Sequence, residues 1–496
     1  MKKTTLYFLS LLIWNSCGYA QSISPANEFA KTITEKDLLR HLTVIAADSM
    51  EGRDTGSKGQ KMAADYIKNH FEGLGLLPPV NTPNGKSYLQ TYKMVKRTWN
   101  PTSTISVGKE VFKFGTDFYP IKYTVEPKTD IATDVILISG ENAAELEKID
   151  CKGRAIIFLE KKLDLNKIIA ARAKELGATA VLVIKTLNDK DFVEAIDSYS
   201  YYYASPQSGF ASKKDEAIYY VSPKFALKLL GGKNLQASLK KVGKTANQKV
   251  NIKSEYSEKV DFISENVLGF LEGTDKKDEI VVVTAHYDHV GMSGGKVYNG
   301  ADDDGSGTVT VMEIAEAFAK AAKEGSRPRR SILFMTVSGE EKGLFGSLYY
   351  TDYEPIFPLE KTVANLNIDM VGRIGGEYIT KKEPNYIYLI GSDKLSSELH
   401  TLSEEANKQH DNLILDYKYN DEKDPNRFYY RSDHYNFAKN NIPIIFYFNG
   451  THPDYHQPTD DIDKINFAKM TKIAHLVFHT AWEIANRENR LKVDKK

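Results

Sequence analysis

Five clusters of imidazole and carboxylate groups punctuate the second half of the chain. His286, Asp288 and His289 stand in Ala285-His286-Tyr287-Asp288-His289, and Asp302, Asp303 and Asp304 in Gly300-Ala301-Asp302-Asp303-Asp304-Gly305. Glu340 and Glu341 follow Ser338-Gly339, Asp369 follows Asn367-Ile368, and His456 lies in Tyr455-His456-Gln457-Pro458. Taken singly, the aspartate run reads as a turn or helix cap and the glutamate pair as surface charge. Together they offer the ligand set of zinc, and so many carboxylates would repel one another without a cation. Two metal ions sharing one carboxylate would offset that repulsion and activate water for hydrolysis.

Such a site needs elements that bring distant clusters together. Apolar, β-branched runs at 280–285, 332–337, 363–368 and 442–448 read as buried strands, and the clusters fall just past their ends. A helix over 307–323, with Val311, Ile314, Ala315 and Phe318 on one face, separates the first two. This alternation predicts a largely parallel sheet flanked by helices, in which ligand sites lie beyond the carboxyl ends of the strands.

Upstream, Thr34-Glu35-Lys36-Asp37 starts a helix carrying Leu38, Leu39, Leu42 and Ile45. A second helix carries Met62, Ala63, Tyr66, Ile67 and Phe71, and the polar loop Glu51 to Ser57 joins the two. From about residue 103 the runs shorten. A strand at 154–159, a helix with Leu165, Ile168, Ile169, Ala173 and Leu176, and a strand at 180–184 form a small α/β unit. The tyrosine-rich tract 199–203 reads as an exposed aromatic loop.

The whole chain has 496 residues, with 66 basic against 66 acidic side chains. A zero sum gives no electrostatic case for a nucleic-acid partner. Lys2 and Lys3, an apolar stretch to Trp14, and Gly18-Tyr19-Ala20 form a secretory signal over residues 1–20, too short to span a membrane. Export to the periplasm or medium is therefore expected, with lipid attachment through Cys17 the lesser alternative. Removal of the signal leaves 64 basic against 66 acidic groups and Cys151 as the one cysteine, so no internal disulfide is expected.

The motifs resemble those of the secreted dinuclear zinc aminopeptidases, whose relatives include glutamate carboxypeptidase II and glutaminyl cyclases. The resemblance covers residues 27–100 and 258–490. It implies a three-layer α/β sandwich with a mixed, largely parallel central sheet, in two pieces, 27–102 and 258–490. Residues 103–257 are similar to a protease-associated domain, a smaller α/β or β-rich insert. Carried over by position, Asp303 would bridge two Zn2+ ions (Co2+ or Mn2+ being substitutes). His286 and Asp369 would complete one set of ligands, and Glu341 and His456 the other. Glu340 would be the general base, Asp288 would orient His286, and Tyr429, or the adjacent Tyr430 in its place, would donate to the oxyanion. The implied activity is hydrolysis of the N-terminal peptide bond of peptides with a free amine, by a metallo-aminopeptidase without a membrane span. Glutaminyl cyclase or carboxypeptidase chemistry on the same fold is the alternative, and a non-catalytic binding protein a more distant one.

Rival motifs carry less. Gly291-Met292-Ser293-Gly294-Gly295 matches the pattern of a serine nucleophile elbow, but no helix follows it directly, so a flexible loop at the site is expected. Ser432-Asp433-His434 are sequence neighbours, which rarely meet in triad geometry. His289, His434 and His452 are expected to be structural or to line the pocket.

Overall fold

A computed structural model describes residues 25–120, 128–204, 207–210 and 218–495. The signal segment and Cys17 lie outside the described residues. The central sheet runs in the order Gln207–Phe210, Leu89–Trp99, Val250–Leu271, Arg330–Val337, Lys276–His286, Thr362–Ile368, Ile444–Phe448, Tyr386–Ile390 and Ile414–Asp416. Four neighbours from Arg330–Val337 to Ile444–Phe448 are mutually parallel, while Val250–Leu271 and Tyr386–Ile390 join them antiparallel. The sheet is therefore mixed, with a parallel centre.

Both faces of that centre are covered, which is why its strands are mostly apolar, with Thr284, Asn365 and Asn367 hydrogen-bonded among themselves and to Ser432. Val281 and Val283 face a cluster with Leu38 and Leu42 of helix Glu35–Ile45, Ile67 and Phe71 of Lys58–Leu74, Phe318 of Gly307–Lys323 and Phe478 of Phe467–Asn486. Ile280 and Val282 face the opposite cluster, with Leu333, Met335, Tyr350 and Phe437. Side chains alternate across the pleat, so one valine run fills two cores. Helices Glu35–Ile45 and Lys58–Leu74 begin at side-chain caps: Thr34 accepts from Asp37 N and Ser57 from Gln60 N.

A second core is built from residues between Trp99 and Ile252 around a separate five-stranded sheet, Phe118–Pro120, Ile218–Val221, Ala180–Ile184, Ala155–Leu159 and Val135–Leu137. One strand serves both regions. Val250–Leu271 pairs with Thr104–Val107 and Lys128–Thr133 near its start, then with Leu89–Trp99 and Arg330–Val337. The charged sequence before residue 260 thus continues into a strand rather than linking to one.

Three expectations change. The tract 199–203 is the end of helix Asp189–Ala204, because Phe192 and Ile196, four residues apart, are buried and set a helical period. Leu39 and Ile168 are exposed at 43% and 58%, so each helix buries a narrower stripe than its apolar residues suggest. Gly291–Ser293 pairs with Lys296–Tyr298 as a hairpin instead of a flexible loop. Gly294 and Gly295 at its tip have φ of 57° and 74°, the backbone that a tight two-residue hairpin turn requires.

Candidate metal centre

Each acidic or imidazole cluster is delivered by a strand end. His286 closes Lys276–His286, with Asp288 and His289 in the turn beyond; Glu340 and Glu341 follow Arg330–Val337, and Asp369 follows Thr362–Ile368. Asp303 lies in the turn before helix Gly307–Lys323, and His456 in the turn after Ile444–Phe448. All four strands are parallel, so their ends open on one side and the clusters converge.

Asp303 stands in the middle. Its Oδ1 is 3.3 Å from His286 Nε2, and its Oδ2 is 3.0 Å from His456 Nε2. On the first side, His286 Nε2 is 3.7 Å from Asp369 Oδ1 and 4.0 Å from Glu340 Oε2. Across the site, Glu341 is 3.1 Å from His456 Nε2 and 2.9 Å from His289 Nδ1. His286, Glu340 and Asp369 can each offer one ligand atom within 4.8 Å of the others, as can His289, Asp303 and Glu341.

The donors fit a divalent cation. Among the described residues, the buried atoms His289 Nδ1, Asp303 Oδ2 and Glu341 Oε1 have no hydrogen-bond partner, although they face one another. A protein that buried these groups for structure alone would pair them. The electrostatics agree. Burial works against a charged His456, yet the nearby carboxylates of Asp303 and Glu341 carry its pKa up to about 11. The carboxylates here demand positive charge.

Surrounding residues hold the donors in place. Asp460 Oδ2 accepts from the backbone N–H of Asp302 and Asp303, at 3.0 and 3.1 Å. Asp304 accepts from the N–H of His286, Gly307 and Met370, and Asp302 from Gly372 N–H, with His452 Nε2 at 3.1 Å. The two outer aspartates thus cap turns while the middle one faces the site. Gly300 is required beside them: at φ 53° a Cβ would lie 2.2 Å from Asp303 O and 2.5 Å from the His289 ring. His286 Nδ1 lies 3.0 Å from the main-chain oxygen of Asp288 and 3.7 Å from its carboxylate. That carboxylate instead accepts from Thr55 Oγ1 and Glu340 N.

Sequence reading did not single out Arg53. It is fully buried and donates to four main-chain oxygens, of Ile45, Tyr287, Asn299 and Gly300, at 2.6–3.0 Å. One guanidinium thereby ties the loop after His286 to the loop before Asp303. His289, expected to be structural or to line the pocket, faces the second half of the site. Asp460 carries no signal of its own in the sequence. Nothing in composition marks these residues, because their contacts come from distant segments.

Tyr429 does not line the cleft. Its ring packs beside His434 and Tyr435, with Lys394 Nζ 5.0 Å above it. The cleft wall is formed by Met370, Phe428, Arg431, Phe446, Phe448, Thr451 and Tyr455 next to His286, Asp303, Glu340 and Asp369. Phe428–Tyr430 is a 3-10 turn, in which positions three apart eclipse, so Phe428 and Arg431 share the cleft face and Tyr429 takes another. Ser432 and His434 form no triad: Ser432 Oγ accepts from Asn367, and His434 Nε2 bonds the main-chain oxygen of Tyr429.

Comparison with known proteins gives concordant matches. Residues 266–481 match the model of "Peptidase family M28". Aminopeptidase YwaD of Bacillus subtilis (strain 168) is 28% identical over 242 residues, 47% of this chain and 47% of that protein. A probable leucine aminopeptidase of Arthroderma otae is 33% identical over 220 residues, 42% of this chain and 55% of that one. The chain therefore spans about half the length of these relatives. In fold it is similar to the aminopeptidase from Aneurinibacillus sp. strain AM-1, with a TM-score of 0.54 and 18% identity, covering 95% of this chain and 98% of that one. With its strand-end clusters converging on Asp303, the segment 266–481 is similar to peptidase family M28.

Proposed function

We propose that the protein is an exported, zinc-dependent aminopeptidase. The observation that carries this reading is the shared position of Asp303, with one oxygen toward His286 and the other toward His456. His286 and Asp369 would hold one Zn2+, Glu341 and His456 the other, and Asp303 would bridge them; His289 stands behind Glu341. Ions held there supply the positive charge that acidifies water and polarises a scissile carbonyl. Glu340 takes the proton from the attacking water and returns it to the leaving amine. Burial raises its carboxyl well above the ordinary range; His286 opposes that shift, while Glu341 and Asp369 reinforce it, which suits a base near neutral pH. Asp288 keeps Glu340 and His286 in register through its carboxylate and its main-chain oxygen. Residues 103–257 are read as an inserted protease-associated domain beside this site. Export rests on the signal over residues 1–20, and no helix among the described residues is long and apolar enough to cross a membrane.

The test is chelation of the purified protein, followed by zinc and paired peptides with free and blocked N-termini. Loss and return of hydrolysis restricted to free amines is expected. Cleavage that survives chelation, or that ignores the N-terminus, would overturn the reading.

A further inference from the structure

Arg431 is the one cationic side chain lining a cleft whose other charged groups are those of the metal centre. Its guanidinium lies over the Phe428 ring, 5.0 Å from the centroid, and Nη2 donates to Tyr455 Oη at 3.3 Å. Among the described residues no carboxylate pairs with it. Other arginines of this molecule differ: Arg373 pairs with Asp454 at 2.7 Å, and Arg329 with Asp275 and Glu488, each at 2.6 Å. Stacking on Phe428 and the bond to Tyr455 hold the group in place while leaving most of its five N–H donors free.

The wall around it is aromatic, from Phe428, Phe446 and Phe448. Methylene groups would pack on such a wall, and a charge at its end would meet the planar fork of donors that a carboxylate matches with two parallel hydrogen bonds. A substrate carboxylate has strong reason to avoid this cleft otherwise, since Asp303, Glu340 and Asp369 share it. We propose that Arg431 builds a carboxylate-binding subsite, so that the preferred substrates are peptides bearing a carboxylate close to the scissile bond. That carboxylate belongs either to the side chain of an acidic N-terminal residue or to the free C-terminus of a dipeptide. The inference rests on the peptidase reading and names its substrate class.

Two substrate pairs of equal shape separate the sources. Glutamyl against glutaminyl p-nitroanilide isolates the side-chain carboxylate, and Ala-Ala against Ala-Ala-amide isolates the C-terminal one. In the zinc-loaded wild type, kcat/KM should favour the charged member of one pair by roughly 10- to 100-fold, the worth of a charge-assisted hydrogen bond. Arg431→Gln should abolish that preference, read as the ratio of kcat/KM within each pair, whereas Arg431→Lys should keep part of it. No preference in either pair, or a preference that survives Arg431→Gln, overturns the proposal. Hydrolysis of the neutral members reads the peptidase assignment separately. If no peptide is turned over, calorimetric Kd values for the same pairs on the same proteins give the ratio: a charge preference lost in Arg431→Gln supports the subsite, and equal Kd values overturn it.

Discussion

Two buried groups of histidine and carboxylate occupy this molecule, and they behave oppositely. At the strand ends, His286, His289 and His456 face Asp303, Glu340, Glu341 and Asp369. Between three helices on one face of the sheet, His41 and His70 meet Glu313 and Glu316, with His41 Nε2 3.2 Å from Glu313 Oε1. In the helical group burial dominates. It pushes His41 and His70 down to about 4, with Arg40 helping at His41, and Glu313 up to about 8. His41 Nδ1 lies 2.8 Å from Tyr66 Oη, while His41 Nε2 and Glu313 Oε1 face each other without a hydrogen bond. At the strand ends the carboxylates outnumber the imidazoles: burial still raises Glu340, but Asp303 and Glu341 overcome it at His456, which is held up to about 11. Residue type does not make a metal centre; surplus buried negative charge does.

The sharpest way to break this contrast is to remove the shared carboxylate. Asp303→Ala should lose both ions and reduce hydrolysis to background, measured by elemental analysis of the purified protein beside peptide turnover. His70→Gln should leave the metal content as it was. Two retained ions in Asp303→Ala, or a loss in His70→Gln, would reverse the assignment of the two groups.

A smaller effect is expected from Glu340→Gln, which leaves the ligand set intact. Turnover should fall by roughly 10²- to 10⁴-fold, the usual contribution of a general base, with metal retained. An unchanged kcat would take the proton-transfer role from Glu340.

Much of this was legible in the sequence for a physical reason. Strands buried on both faces must be mostly apolar, so runs such as 280–285 announce themselves, and charge immediately after such a run marks a strand end. Glu340, Glu341 and Asp369 stand out that way, while Asp303 before a helix and His456 well past a strand draw their expected roles from the resemblance. Arg53 does not stand out, because an arginine in a polar loop reads as surface. Its burial depends on main-chain oxygens 234 to 247 residues away, besides that of Ile45. Tyr429 differs: its expected role comes from the resemblance alone, and the phase of a 3-10 turn gives the cleft face to Phe428 and Arg431. Phase over three residues is set by packing that no local pattern records.

The helical group gives the smallest and most discriminating effect, because its two ionisations act in opposite directions. Glu313 is raised from 4.5 to about 8 in the fold, so the stability it contributes is fully present below about pH 4.5 and lost as pH rises through about 8. His41 is lowered to about 4, so its contribution is present above its ordinary 6.5 and lost as pH falls through about 4. Glu313→Gln keeps the shape and removes the first titration. Thermal unfolding of the zinc-loaded proteins should show wild type losing about 1–2 kcal/mol relative to Glu313→Gln between pH 6 and 9, less than the full shift because Arg40 lies 3.6 Å away. The acid limb should stay, since it belongs to His41 and His70. Parallel pH profiles would mean that Glu313 is ionised in the fold, and the helical group would then carry buried charge as the metal centre does.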